Sequence, residues 1–318
     1  MIIKKIITSS RFVILIVCVF LFSASATFLL LTTKTSPKAY QKKANNNFKI
    51  TTAPIKPSAR VSAQNYNSPL GVPILMYHHI GYLPTVGNDL IRTGLTVLPQ
   101  DFTSQVQWLH DQGYNSISLS QLYLYSQKKL LLPKKPIVFT FDDGYDDALI
   151  NAPKILQQFG YTGSFGIITD FPGTVNGTNT YATWNSIVAA QTAGMEIVCH
   201  TQNHFDGSNP KFTADYIFQN LSGCKQALAN HAITTKILIY PYGHYTDTYL
   251  QQAKDAGFVM GLKEGGQFYN PNENIMEVTR IAVRGGESLQ KFEMVLEPWL
   301  FPKVSTTTQV SIKQIPID

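Results

Sequence analysis

From Gly71 onward, short apolar β-prone runs alternate with amphipathic segments about seven times. No other feature restricts the fold as strongly. A strand followed by a helix and then another strand returns the chain in the same direction, which builds parallel β/α layers. The predicted strands are VPILMYHHI, NSISLS, PIVFTF, SFGII, MEIVC, KILIYP, GFVMGL and RIAV. Between them, PQDFTSQVQWLHDQGY reads as a helix stopped by Gly113, and Ser120 starts another. DDALINAPKILQQFG ends at Gly160, and TWNSIVAAQTAG is capped by Thr183. Further helices are expected near 213–230 and 247–256, and SLQKFEMVL closes the series. Polar residues gather just past several different strands. In a (β/α) barrel those strand ends share one face, so a barrel is expected rather than an open sheet.

Charge divides the chain. Residues 1–70 hold ten Lys/Arg and no Asp or Glu, leaving 16 Lys/Arg against all 20 Asp/Glu beyond them. The basic excess therefore belongs to the N-terminal arm, and a nucleic-acid partner for the globular part is not expected. Lys4, Lys5 and Arg11 precede FVILIVCVFLFSASATFLLLTT, about twenty uncharged residues, enough to cross a bilayer core of roughly 30 Å. The flanking positives would stay cytoplasmic and send the rest outside. Ala24-Ser25-Ala26 offers a signal-peptide cleavage site, but apolar sequence continues past it, which favours an uncleaved anchor over residues 1–32. Residues 33–70 read as a flexible basic linker, 71–300 as the globular domain and 301–318 as a C-terminal tail. Cys199 and Cys224 could pair outside the cell, although the strand-like setting of Cys199 beside a histidine favours a small buried thiol.

Four of the 20 acidic residues fall within PIVFTFDDGYDDA, directly after a strand. Asp146 and Asp147 suit the first turn of the following helix. Asp142 and Asp143 stand at the strand end itself. After MEIV comes CHTQNH, with His200 and His204; after KILI comes YPYGHY; the first strand runs into His78 and His79. Two imidazoles and one carboxylate suit a borderline divalent ion with positions left open for water. Either motif alone is weak, since paired acids also cap helices and spaced histidines also sit on surfaces. Their convergence on one barrel face is the stronger signal.

TFDDGY, HTQNH and YPYG, in this order and in these strand contexts, resemble the three motifs of the polysaccharide deacetylases, carbohydrate esterase family 4, over about residues 71–300. The resemblance implies a distorted (β/α)7 barrel and removal of acetyl groups from a glycan. It implies that Asp143, His200 and His204 hold a metal, usually Zn2+, that Asp142 is the general base, and that the Tyr242 backbone N–H stabilises the oxyanion. Thr201 would hydrogen-bond within the histidine loop.

Two departures stand out. The family's third motif usually has an Arg where this chain has Ile239, and no histidine follows His244. The early MYHHI resembles the circularly permuted deacetylases acting on poly-N-acetylglucosamine, which implies His78 as the acid. His78 and His79 cannot both face inward on a strand. Arg280 is the expected replacement for the missing Arg, beside Asp142, with a surface salt bridge as its other reading. His244 could line the cleft, and Trp184 and Tyr245 could stack on sugars, though Trp184 could equally be core. His110 and His231 look like helix-surface residues. The long Asp170–Ala182 loop could shape access. The expected protein is thus a monomeric, metal-dependent N-acetyl hydrolase acting on poly-N-acetylglucosamine or peptidoglycan outside the membrane. The other expectations are a glycoside hydrolase or a catalytically silent wall-glycan binder.

Overall fold

A computed structural model of the chain describes residues 71–84, 89–266 and 268–300. The expected membrane segment, the linker and the C-terminal tail lie outside the described residues. Among the described residues, no helix is long and apolar enough to cross a membrane.

Eight strands form the main sheet: β1 (Ile74–Tyr77), β2 (Asn115–Ser116), β3 (Pro136–Phe141), β4 (Ser164–Ile167), β5 (Glu196–Cys199), β6 (Ile237–Ile239), β7 (Met260–Glu264) and β8 (Val278–Ala282). Every pairing among them is parallel. The order β1-β8-β7-β6-β5-β4-β3 closes on itself, because β1 also pairs with β3, in register from Ile74↔Val138 to Tyr77↔Phe141. This is the expected seven-stranded barrel. The extra strand β2 pairs with the start of β3, at Pro136 and Ile137, while β4 pairs with its end, at Thr140 and Phe141. The seam below β4 is sealed by a side chain. Glu196 Oε2 accepts from Leu119 N–H at 2.8 Å and from the Ser164 hydroxyl at 2.6 Å, and Oε1 accepts from Ser120 N–H at 3.0 Å.

The helices are α1 (Leu90–Leu95), α2 (Pro99–Asp111), α3 (Leu119–Ser126), α4 (Asp146–Gln158), α5 (Trp184–Thr192), α6 (Ala214–Ala229), α7 (Asp247–Asp255) and α8 (Leu289–Leu300). Local chemistry sets their starts. Pro99 opens α2, where a missing N–H costs nothing. Thr183, Thr213 and Thr246 cap α5, α6 and α7 by accepting from the N–H three residues on. The start expected at Ser120 lies earlier: Ser118 and Gln121 form a reciprocal capping box. Alternation did not show α1, nor the antiparallel pair Val175–Asn176/Asn179–Thr180 inside the long loop.

Period-two alternation separates two cores. Outward-facing residues such as Leu75, Tyr77, Phe139, Phe141, Phe165 and Ile197 pack beneath the helices. Inward-facing residues such as Ile74, Val138, Val198, Ile239, Leu262 and Val278 fill the barrel. Cys199 faces outward, against the inner side of α6, and is disulfide-bonded to Cys224 with Cα atoms 6.2 Å apart. This corrects the expectation of a free thiol. A buried strand residue facing a helix meets its partner only through tertiary packing, which lies beyond local sequence.

Candidate active site

The inward columns that are apolar at the barrel floor become polar at its mouth. Ile74 and Met76 lead to His78; Val138 and Thr140 lead to Asp142; Val198 leads to His200; Met260 and Leu262 lead to Glu264. Period two carries each side chain to the same face as the apolar residues before it. His78, Asp142, Asp143, His200, His204, Tyr242 and Arg280 all line one pocket of about 480 Å³, so the structure brings every expected site residue together.

Arg280 is fully buried and forks onto Asp142: Nη1 donates to Oδ1 at 2.7 Å and Nη2 to Oδ2 at 2.8 Å. Nη1 also donates to the Thr140 hydroxyl at 3.1 Å, and Thr140 donates onward to the Leu75 carbonyl at 2.8 Å. Arg280 thus supplies the guanidinium beside Asp142 that was expected in place of the motif Arg, and its burial excludes a surface salt bridge. Burial pushes the Asp142 carboxyl up, but the Arg280 guanidinium, helped by His200, outweighs it and holds the group below the usual range. The carboxylate is therefore ionised and fixed in orientation.

Asp143 turns to the histidine loop. Its Oδ1 lies 3.1 Å from His200 Nε2 and 3.2 Å from His204 Nε2. The three candidate ligand atoms lie within 4.8 Å of one another. His200 Nδ1 is 2.9 Å from the Ile239 carbonyl, which can only accept. Nδ1 therefore carries the proton, and in the neutral ring Nε2 directs a lone pair at the carboxylate. Oδ1 of Asp143 is buried and receives no well-aligned hydrogen bond. Two acceptors facing each other at this distance call for positive charge between them. A divalent cation fits this donor set, which is two imidazole nitrogens and one carboxylate oxygen. Burial raises the Asp143 carboxyl, yet the two imidazoles hold it well below its ordinary value. Burial lowers His200, and the two carboxylates more than reverse this and raise it.

The local backbone is bent to make the cluster. Asp143, Thr201, His204 and Tyr242 have φ of 72°, 64°, 61° and 60°. Each left-handed non-glycine residue costs about 1–3 kcal/mol, so the surrounding contacts must impose these conformations. The Thr201 hydroxyl accepts from His204 N–H at 2.9 Å, which braces the loop as expected. Gly166 on β4 supplies room: a Cβ there would sit 3.3 Å from the His200 Cβ and 3.0 Å from Ile239 Cδ1. In the Pro241–Gly243 turn, the internal hydrogen bonds use the N–H groups of Gly243 and His244, not that of Tyr242.

Other expectations fall outside the pocket. His79 is buried on the far side of the strand, with Nδ1 3.0 Å from Asp147 Oδ1 and its ring stacked on Tyr145 at 3.5 Å. Arg92 Nη2 donates to Asp147 Oδ2 at 3.0 Å, so Asp147 is more than a first-turn acid. His244 pairs with Asp206 at 3.1 Å on the exposed rim and does not line the pocket. Trp184 stacks on His231 at 4.0 Å, which removes both a sugar platform and a free surface histidine. The Tyr245 hydroxyl donates to Glu277 at 2.7 Å, away from the pocket lining. Tyr145, Glu264 and Arg284 line the pocket and were not anticipated; extending the alternation of GFVMGL by two residues reaches Glu264.

The model of the family described as Polysaccharide deacetylase matches residues 130–261, a stretch of the closed parallel barrel that includes Asp142, Asp143, His200 and His204. Residues 130–261 thus carry a polysaccharide deacetylase match, and the described residues share the fold of a solved deacetylase. The chain is 27% identical over 231 residues to YxkH of Bacillus subtilis, covering 72% of this chain and 77% of that one. It is 26% identical over 213 residues to the poly-beta-1,6-N-acetyl-D-glucosamine N-deacetylase of Staphylococcus aureus (strain MRSA252), covering 64% and 72%. Among solved structures, the Streptococcus pyogenes deacetylase PplD in complex with acetate aligns with a TM-score of 0.64 at 26% identity, over 72% of this chain and all (100%) of that one. IcaB from Ammonifex degensii shares the fold, with a TM-score of 0.59 at 21% identity over 67% of this chain and 92% of that one.

Proposed function

We propose that this chain is a metal-dependent glycan N-deacetylase, held by its N-terminal segment on the outer face of the cell membrane and acting on poly-N-acetylglucosamine as a monomer. The observation that carries the reading is the division of labour between adjacent carboxylates: Asp142 is locked to Arg280, while Asp143 faces two imidazoles. A glycoside hydrolase would need two carboxylates flanking the scissile bond, about 5–9.5 Å apart, and neighbouring Asp142 and Asp143 do not meet that pattern. The Staphylococcus aureus relative, a poly-beta-1,6-N-acetyl-D-glucosamine N-deacetylase, supports an acetylated glucosamine polymer as the substrate class. A buried disulfide supports an oxidising compartment.

Asp143, His200 and His204 would hold the cation, which Zn2+ suits best by ligand type. When bound, it supplies Lewis acidity to an attacking water and to the acetyl carbonyl. Asp142, kept ionised by Arg280, accepts the proton of the water. The Tyr242 N–H donates to the carbonyl oxygen as that atom gains charge. His78, on the opposite wall, gives a proton to the departing sugar amine. The C–N bond breaks, leaving acetate and a free amine.

The test is acetate release from acetylated glucosamine oligomers by the full-length chain. Release should require added zinc and stop with a chelator. Asp142→Asn should abolish turnover while retaining the metal; loss of zinc in that variant would mean that the two aspartates have exchanged roles. Shortened oligomers in the mass spectrum would indicate a glycoside hydrolase, and binding without acetate a silent module.

A further inference from the structure

The chemistry above leaves two charged pocket residues without a task. Glu264 and Arg284 line the pocket and are exposed, and no hydrogen bond or ion pair engages either side chain among the described residues. Glu264 is the more firmly placed. It closes β7 in register with Arg280 on β8. Registered residues of parallel strands show the same face, and Arg280 points into the mouth, so Glu264 does too. Its stem lies against Gly243. A Cβ on Gly243 would sit 2.8 Å from the Glu264 nitrogen and 3.2 Å from its Cβ and Cγ, and Gly243 has φ of +70°. Both the turn and the close approach require glycine there. Glu264 is thereby held beside Tyr242, with its carboxylate free.

An acetylated glucosamine polymer is neutral, so its acetamide and hydroxyls give a lone carboxylate nothing of opposite charge. Asp142 is already matched by Arg280, and Arg284 stands past β8, nearer β1 and His78. The one cationic group that such a polymer acquires is the C2 ammonium left when an acetyl group is removed. We propose that Glu264 is a specificity-determining residue whose carboxylate takes the C2 ammonium of a glucosamine unit adjoining the sugar under attack. A partly deacetylated chain is then bound in preference to a fully acetylated one, and removal of one acetyl group favours attack on its neighbour. This rests on the N-deacetylase reading.

The probes are two tetramers of N-acetylglucosamine, one fully acetylated and one with a single free amine. Binding to the full-length chain is measured by calorimetry with chelator present, so that neither is turned over. The amine-bearing tetramer should bind roughly two- to fivefold more tightly, the range of an exposed ion pair. The preference should shrink in salt, disappear in Glu264→Gln and persist in part in Glu264→Asp. Equal affinities in the unaltered chain, or a preference that survives Glu264→Gln, would overturn the assignment. Acetate release from the fully acetylated tetramer by the zinc-loaded chain is scored separately. Its absence would defeat the N-deacetylase reading, and the binding ratio would still decide what Glu264 recognises.

Discussion

Replacing Arg280 with methionine keeps much of the side-chain length and deletes the charge. It removes contacts of 2.7 and 2.8 Å to Asp142, 3.1 Å to Thr140 and 3.4 Å to the Lys263 carbonyl. The two side chains are 1% and 4% exposed, so solvent does little to screen the pair. Leaving one partner of such a pair behind costs about 3–5 kcal/mol. That is a large part of the roughly 5–15 kcal/mol that holds a typical domain together. The direction with pH follows from the carboxyl. In the unaltered chain Asp142 titrates below its ordinary value, so its contribution is present above about pH 4 and is lost as pH falls through the folded value. In the variant, burial acts unopposed and raises the group, so the neutral form is favoured. The deficit should be small in acid, grow as pH rises past about 4, and be full near neutrality. Urea unfolding of the chelated full-length chain between about pH 4 and 8 measures it. A deficit below about 1 kcal/mol at neutrality, or one that does not vary with pH, would refute the claim that the fork holds a buried charge. Arg280→Lys should fall between, because it keeps the charge but not the fork.

Three further outcomes are expected. Serine at both Cys199 and Cys224 should cost about 3.5 kcal/mol by loop-closure entropy for a separation of 25 residues, read as a lower urea midpoint with a steeper slope as the released denatured chain expands. His78→Gln should lower kcat by about 10²–10⁴ with the fold intact, whereas His79→Gln should spare kcat and change stability. Burial lowers His79, with Asp147 opposing, so its contribution is present above about pH 6.5 and is lost as pH falls below that; His79→Gln should flatten this part of the stability curve. His204→Ala should weaken zinc binding, and 100 Kd of zinc should stabilise the parent chain by about 2.7 kcal/mol in thermal unfolding, with the variant unresponsive at that concentration.

Most of the barrel was legible because its signals are local. Each strand is an apolar run, each helix has its cap or its terminal glycine, and the strand ends carry Asp142, Asp143, His200 and His204. Alternation allowed only one of His78 and His79 to face inward, and the family resemblance, not the pattern, selected His78. Arg280 was reached only through the resemblance, which lacked its usual Arg at Ile239, and the sequence alone left a surface salt bridge as its other reading. What stayed hidden depends on distant pairing. Trp184 stacks on His231, His244 finds Asp206, and Cys199 finds Cys224, each across elements that sequence spacing does not bring together. Segment α1 is six residues long, too short for helical periodicity to register.

One edge of β3 is shared, with β2 at its start and β4 at its end, so β4 takes over that edge only near the rim. β2 pairs with β3 alone and stays outside the closed ring of seven. Asp143 and His200 meet from beyond strands that are not neighbours, because β4 between them presents Gly166, whose missing side chain leaves His200 the room to reach across. A bulkier residue at that one position would wedge the two halves of the site apart.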